Sequence, residues 1–192
     1  MVGQLDRKLL WIVALSVVIA GCQQSTVTTP GTQATPIVYY YFASTQANTL
    51  PAGSVVILPS TLILSPTLSS QSRSSDTKSN IQTALQSMIN DHRNIWKGSN
   101  LTITSISFNS GEANVVLSGD ISGTGDIVLV AAETQFLMTI FAEPSVQTAI
   151  VTLNGQTIGN LGISHSSEAK PADYKYTRSE IEIFMKQNAY HP

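Results

Sequence analysis

Apolar residues along this chain fall into two rhythms, alternation and helical spacing, and the switches between them mark its elements. Ile37-Val38-Tyr39-Tyr40-Tyr41-Phe42 is a β-branched and aromatic run that predicts a strand. Ser54 to Leu58 predicts a second short strand and Leu62-Ile63-Leu64 a weaker third, before a Ser-rich stretch, Ser69 to Ser75, that reads as a loop. The rhythm then changes: Ile81, Ala84, Leu85, Met88, Ile89, His92, Ile95 and Trp96 recur at helical spacing as one apolar stripe. Ser79 with Gln82 fits a capping box at the start of that helix, and Gly98 stands where it should stop.

Leu101 to Phe108 and Glu112 to Leu117 read as a hairpin around Asn109-Ser110-Gly111. In the second of these strands Ala113, Val115 and Leu117 share a face. In the first, Leu101 and Ile103 lie in one phase and Ile106 and Phe108 in the other, so a bulge is expected near Thr104 or Ser105. Ile127, Val130, Ala131, Thr134, Leu137, Met138 and Phe141 repeat at helical spacing, capped by Thr124 or Asp126 and stopped by Pro144. Val146 to Leu153 is the next strand, Asn154-Gly155 a two-residue hairpin turn, and Gln156 to Ile158 the start of the return. After a loop from Ser164 to Ala172, Thr177 with Glu180 caps a short helix carrying Ile181, Phe184 and Met185. The order implies an α+β fold: a mixed sheet with two main helices packed on it and a short C-terminal helix.

The N-terminal segment follows a different logic. Arg7 and Lys8 precede an apolar run from Leu9 to Ala20, about a dozen residues where a membrane-spanning helix needs roughly twenty. A basic start, a short apolar run and small residues before a cut describe a secretory signal peptide. Ile19-Ala20-Gly21-Cys22 resembles the lipobox of bacterial lipoproteins, in which a diacylglycerol is attached to the cysteine thiol and the signal is cut just before it. The resemblance implies that Cys22 is the lipidation site and the first mature residue. Gln23 to Thr35 is almost wholly Ser, Thr, Gln, Gly and Pro, the composition of a flexible tether. The expected division is a signal at 1–21, a tether at 22–36, a domain at 37–162, and a loop and short helix at 163–192.

Composition narrows the partners. Charged residues are 11% of the chain and the net charge is −2. Gln23 to Ser72 contains no Asp, Glu, Lys, Arg or His. No basic patch is present to hold a nucleic acid backbone. Cys22 is the only cysteine, so once it is acylated no thiol is left for a disulfide, a zinc site or a nucleophile, and the domain relies on its core.

From about Ile37 to Gly162 the order resembles the GerMN domain of sporulation and spore-germination proteins, which also occurs in lipoproteins of bacteria that make no spores. The residues that carry this are Val38-Tyr39-Tyr40-Tyr41-Phe42, Ala84 to Ile89, Gly111 to Ser118, and Thr139 to Val146 followed by Val151 to Gln156. The chain departs from the family at Asn90-Asp91-His92, where a Gly-Pro is usual, and in its uncharged second strand region. The resemblance implies an interaction or assembly module with no catalytic residues to transfer.

Candidate chemistry is sparse. Asp120-Ile121-Ser122-Gly123-Thr124-Gly125-Asp126 starts like a calcium loop, but the twelfth position, where a bidentate Glu belongs, is Ala131. Gly123 and Gly125 are followed by Val128 where a dinucleotide fingerprint needs a third glycine. Ser118, Asp120 and His165 form a triad on paper, with no nucleophile elbow around any serine. His92 falls on the apolar stripe and reads as a core or edge histidine. Tyr39 and Tyr41 alternate with Tyr40, so only one set can face solvent as a stacking platform. No catalytic residue, metal or cofactor site is expected. The expected function is that of an envelope lipoprotein held by the lipid on Cys22, non-catalytic, binding an envelope protein or, alternatively, cell-wall glycan through an aromatic groove.

Overall fold

A computed structural model describes residues 35–44, 49–57, 62–94, 100–121, 125–161 and 169–191 of the chain. The expected signal, Cys22, the tether as far as residue 34, Leu58, Ile95, Trp96, Gly98, Thr124 and His165 lie outside them. The aromatic run forms strand β1, Pro36–Ala43, and alternation puts Tyr40 and Phe42 in the core while Tyr39 and Tyr41 are half-buried. β2, Val55–Ile57, and β3, Leu62–Ser72, complete a three-stranded antiparallel sheet in the order β1-β3-β2. The third strand, expected to be the weakest, is the longest of the three and central. It runs through half of the expected Ser-rich loop because its register with β1 continues to Ser72, opposite Pro36. Serine side chains suit an exposed strand face well enough once a partner strand supplies the backbone hydrogen bonds.

Helix α1, Thr77–Asn90, buries Ile81, Ala84, Leu85 and Met88. Its cap is Asp76 rather than Ser79: the Asp76 carboxylate accepts from the backbone N–H groups of Lys78 and Ser79. The helix also stops earlier than its apolar spacing predicts. Asp91 turns extended, at φ −67° and ψ 121°, and its carboxylate accepts from the Tyr39 hydroxyl at 3.0 Å and from Arg93 Nε at 2.8 Å. His92 therefore lies in a turn beyond the helix with its side chain 81% exposed, and it is not part of the apolar stripe.

Strands β4, Thr102–Asn109, and β5, Glu112–Ser118, form the expected hairpin, with positive φ at Ser110 and Gly111 in its turn. The register shifts between Ile103 and Ser105, as the phase change predicted, so Leu101, Ile103, Ile106 and Phe108 all face inwards. α2, Asp126–Phe141, leads to β6, Thr148–Leu153, which pairs with β5 in parallel, making a βαβ unit. The N-cap position of α2 is Gly125, and Asp126 is the first helical residue; the other expected cap, Thr124, lies outside the described residues. Asn154-Gly155 turns the chain with positive φ at both residues into β7, Gln156–Thr157, and Ile158 opens a single 3-10 turn instead of continuing the strand. β8, Tyr176–Thr177, pairs with β6. α3, Arg178–Gln187, begins with the predicted capping box of Thr177 and Glu180.

The second sheet is thus ordered β4-β5-β6-β7, with β8 also on β6. The fold is α+β, with two sheets where one was expected. A continuous apolar cluster joins them: Tyr40, Phe42 and Leu64 from the first sheet, Val115, Leu117 and Val151 from the second, and Leu85, Met88, Phe136 and Ile140 from the helices between. Each such side chain, fully buried, contributes about 1.5–3 kcal/mol.

Candidate interaction surface

A sheet ends at strands whose outward N–H and C=O groups need another partner, and these outer strands differ sharply here. In the first sheet, β1 runs beside α2. The N–H of Tyr40 donates to Thr139 Oγ1 at 3.2 Å, and its C=O accepts from Gln135 Nε2 at 2.9 Å. Gln135 is fully buried and donates also to Asn94 Oδ1 at 2.8 Å, while Asn94 Nδ2 donates to the Met88 carbonyl. Helix side chains thus satisfy the strand edge at Tyr40, and Gln135 ties it to the turn after α1. β2 is closed by the C-terminal segment: Val56 N–H donates to the Asn188 carbonyl at 2.8 Å, and Tyr190 N–H to the Ser54 carbonyl at 2.9 Å.

In the second sheet one end consists of β7 and β8, of two residues each. A cluster under β8 holds it to α2. The Tyr176 hydroxyl donates to Glu133 Oε1 at 3.3 Å, and Lys170 Nζ lies 3.8 Å from the same oxygen and 4.8 Å from the Tyr176 ring centre. Burial pushes the Glu133 carboxyl above its ordinary pKa, with Lys170 and Tyr176 opposing the shift, and burial also raises Tyr176. Gly159 is required beside this cluster, since a Cβ there would run into the Tyr176 hydroxyl.

The other end is β4, an outer strand of eight residues, TITSISFN, without a charge. Among the described residues none pairs with its outward edge. Thr102, Thr104, Ser105, Ser107 and Asn109 are exposed, while Ile106 is buried and Ile103 and Phe108 half-buried. Outer strands usually carry a lysine, a proline or a strong twist against unwanted pairing. β4 has only its bulge at Ile103/Ser105, which leaves Ser105–Asn109 regular and open.

Other surface features are less accessible or less specific. The tyrosine platform is occupied from within the chain, because the Arg93 guanidinium covers Tyr41 at 3.5 Å and Tyr39 donates to Asp91. Burial raises the pKa of Asp91, but the hydrogen bonds from Arg93 and Tyr39 outweigh it, and the net shift is downward. Ser118 Oγ is engaged by Thr102 at 2.8 Å and Thr104 at 3.1 Å, and the Asp120 N–H donates to Asn100 Oδ1. A groove of about 350 Å³ between β3 and α1 is lined by neutral amides and hydroxyls, including Gln71, Gln82, Gln86 and Asn90. An apolar hollow is formed by Val38, Pro51, Pro66 and Leu68, with Leu68 60% exposed. Among the described residues no three His, Cys, Asp or Glu side chains converge as metal ligands, and no helix is long and apolar enough to cross a membrane.

Sequence reasoning passed over Gln135 and Glu133, both inside the apolar pattern of α2. The one available signal was a polar residue at a buried helical phase.

No family model matches the chain, and neither does any curated protein. A solved structure described as a "Putative Lipoprotein from Clostridium perfringens" is similar at 12% identity and a TM-score of 0.36, over 76% of this chain and 90% of that one. A TM-score this low does not equate the two folds, and the GerMN resemblance is carried by the quoted residues alone.

Proposed function

We propose that this chain is a non-catalytic interaction module of the bacterial envelope, held at the membrane by lipid on Cys22, with β4 as its contact edge. The observation that carries the reading is the uncharged, regular stretch Ser105–Asn109, whose outward edge has no partner among the described residues, in a fold whose first sheet has β1 engaged at Tyr40 and β2 covered by the C-terminal segment. An added strand would gain main-chain hydrogen bonds along that edge, while its side chains meet hydroxyl and amide groups that accept many neighbours. Ile19-Ala20-Gly21-Cys22 supports the anchor, since two or more buried acyl chains at about 0.8 kcal/mol per methylene hold a protein stably on a membrane. Following the GerMN resemblance, sporulation or germination complexes are among the assemblies it would join.

Cross-linking the anchored protein in living cells, followed by denaturing purification and identification of the adducts, tests this. A recurrent protein neighbour that disappears when the domain but not the lipid is removed supports the reading. Metabolic labelling with a palmitate analogue, lost in Cys22→Ala, tests the anchor separately.

The groove of Gln71, Gln82, Gln86 and Asn90 favours a second reading, cell-wall glycan binding, because amides and hydroxyls both donate to and accept from sugar hydroxyls. Co-sedimentation with purified peptidoglycan, reduced by Gln82→Ala with Gln86→Ala, would support it. Muropeptide adducts without a protein neighbour would replace the first reading with this one.

A further inference from the structure

The geometry points to a second copy of this chain as the partner of β4, paired antiparallel with its own counterpart about a two-fold axis through Ser107. The inference rests on the interaction reading and names its occupant. The regular part of the strand is bounded by the bulge at Ile103/Ser105 on one side and the Asn109-Ser110-Gly111 turn on the other, and Ser107 is its midpoint.

A two-fold axis normal to a sheet keeps each face on its own side, so residues opposite one another must share a face and the axis must pass through a residue. With Ser107 on the axis, Ser107 faces Ser107, Ser105 faces Asn109, and Ile106 faces Phe108. Exposed polar residues then meet exposed polar residues, and inward apolar residues meet inward apolar residues. The half-buried Phe108 ring gains an Ile106 neighbour from the other copy. Charge is what normally forbids such a pairing, because a residue at the axis meets itself. None of the eight residues is charged, so the edge is compatible with its own copy. The result is a continuous sheet, β7-β6-β5-β4 joined to the same order reversed.

Single-cysteine variants of the full-length chain in its native membrane test this, with the unsubstituted chain as baseline. Residues directly opposite across an antiparallel pair have Cα atoms about 4.5–5.5 Å apart, within disulfide reach. Ser105 and its own copy would be four residues apart along the strands, roughly 14 Å, out of reach. Under mild oxidation Ser107→Cys is expected to dimerise roughly tenfold or more above Lys186→Cys, an exposed position on α3. Ser105→Cys and Asn109→Cys should each stay monomeric when alone, and cross-link when co-expressed. Equal dimer yields at Ser107→Cys and Lys186→Cys, or dimers from Ser105→Cys alone, would overturn the pairing. Adducts of Ser107→Cys with a different protein and none with itself would overturn the self-pairing and leave the interaction reading intact. No adduct anywhere along β4 would sink both.

Discussion

The two sheets of this protein finish their edges by opposite means. Both outer strands of the first sheet are engaged from within the chain, β1 at Tyr40 by Gln135 and Thr139 of α2 and β2 by the backbone of Asn188 and Tyr190. The second sheet ends at β4, where eight uncharged residues meet no described partner. A buried glutamine is an expensive way to close an edge, since its amide has to be satisfied at every position. Its use on β1 shows that an unpaired edge is not simply tolerated throughout this fold, and it makes the open β4 informative.

The contrast is most easily broken at Gln135. Gln135→Leu keeps the volume but leaves the buried Tyr40 carbonyl and Asn94 amide oxygen without this donor. At about 1–3 kcal/mol for each unsatisfied group, the expected loss is roughly 2–6 kcal/mol, read as a lower urea midpoint at unchanged m-value. An unaltered midpoint would mean that the β1 edge needs no such closure.

Ending the chain after Gln187 removes the cover of β2 and two backbone hydrogen bonds, about 1–3 kcal/mol. It should also create a second open edge, seen as concentration-dependent association beyond the β4-paired dimer, which would persist when Ser107→Lys is added.

At the far end of the second sheet, Glu133 gives a pH signature. Its folded pKa lies above the ordinary carboxylate value of 4.5, so its contribution to stability is fully present below that pH and declines as pH rises through the raised value. Glu133→Gln should flatten that part of the stability profile. Asp91 has the opposite sign: its lowered pKa adds stability that is lost as pH falls below about 3.8. Chemical denaturation at a series of pH values, on the parent and on Glu133→Gln and Asp91→Asn, separates the two.

The smallest effect on stability is expected on β4 itself. Ser107→Lys alters an exposed side chain and should shift folding by no more than about 0.5 kcal/mol. It would nonetheless abolish pairing about the Ser107 axis by setting two ammonium groups against each other. A stable, folded Ser107→Lys protein that still assembles in the membrane would move the contact elsewhere.

Much of this was legible in the residues. The hairpin bulge near Thr104, the Asn154-Gly155 turn and the Thr177–Glu180 capping box all follow from local rules, because the groups that satisfy each feature lie within a few residues of one another. The ends of α1 were not legible. Asp76 took the cap ahead of Ser79, and Asp91 left the helix to accept from Tyr39 on β1, which is distant in sequence, and from Arg93. The continuation of β3 through Ser72 was hidden for a similar reason: polar serines read as loop until a neighbouring strand completes their backbone bonds.

By itself the sequence determined the element order, the α+β class, the missing charge in β4 and the lipobox-like segment before Cys22, since each is a matter of which residues stand next to which. Only the tertiary structure decided which edges are closed. Backbone polar groups carry no sequence label, and whether Tyr40 finds Gln135, or β4 finds no partner among the described residues, depends on contacts between residues far apart along the chain.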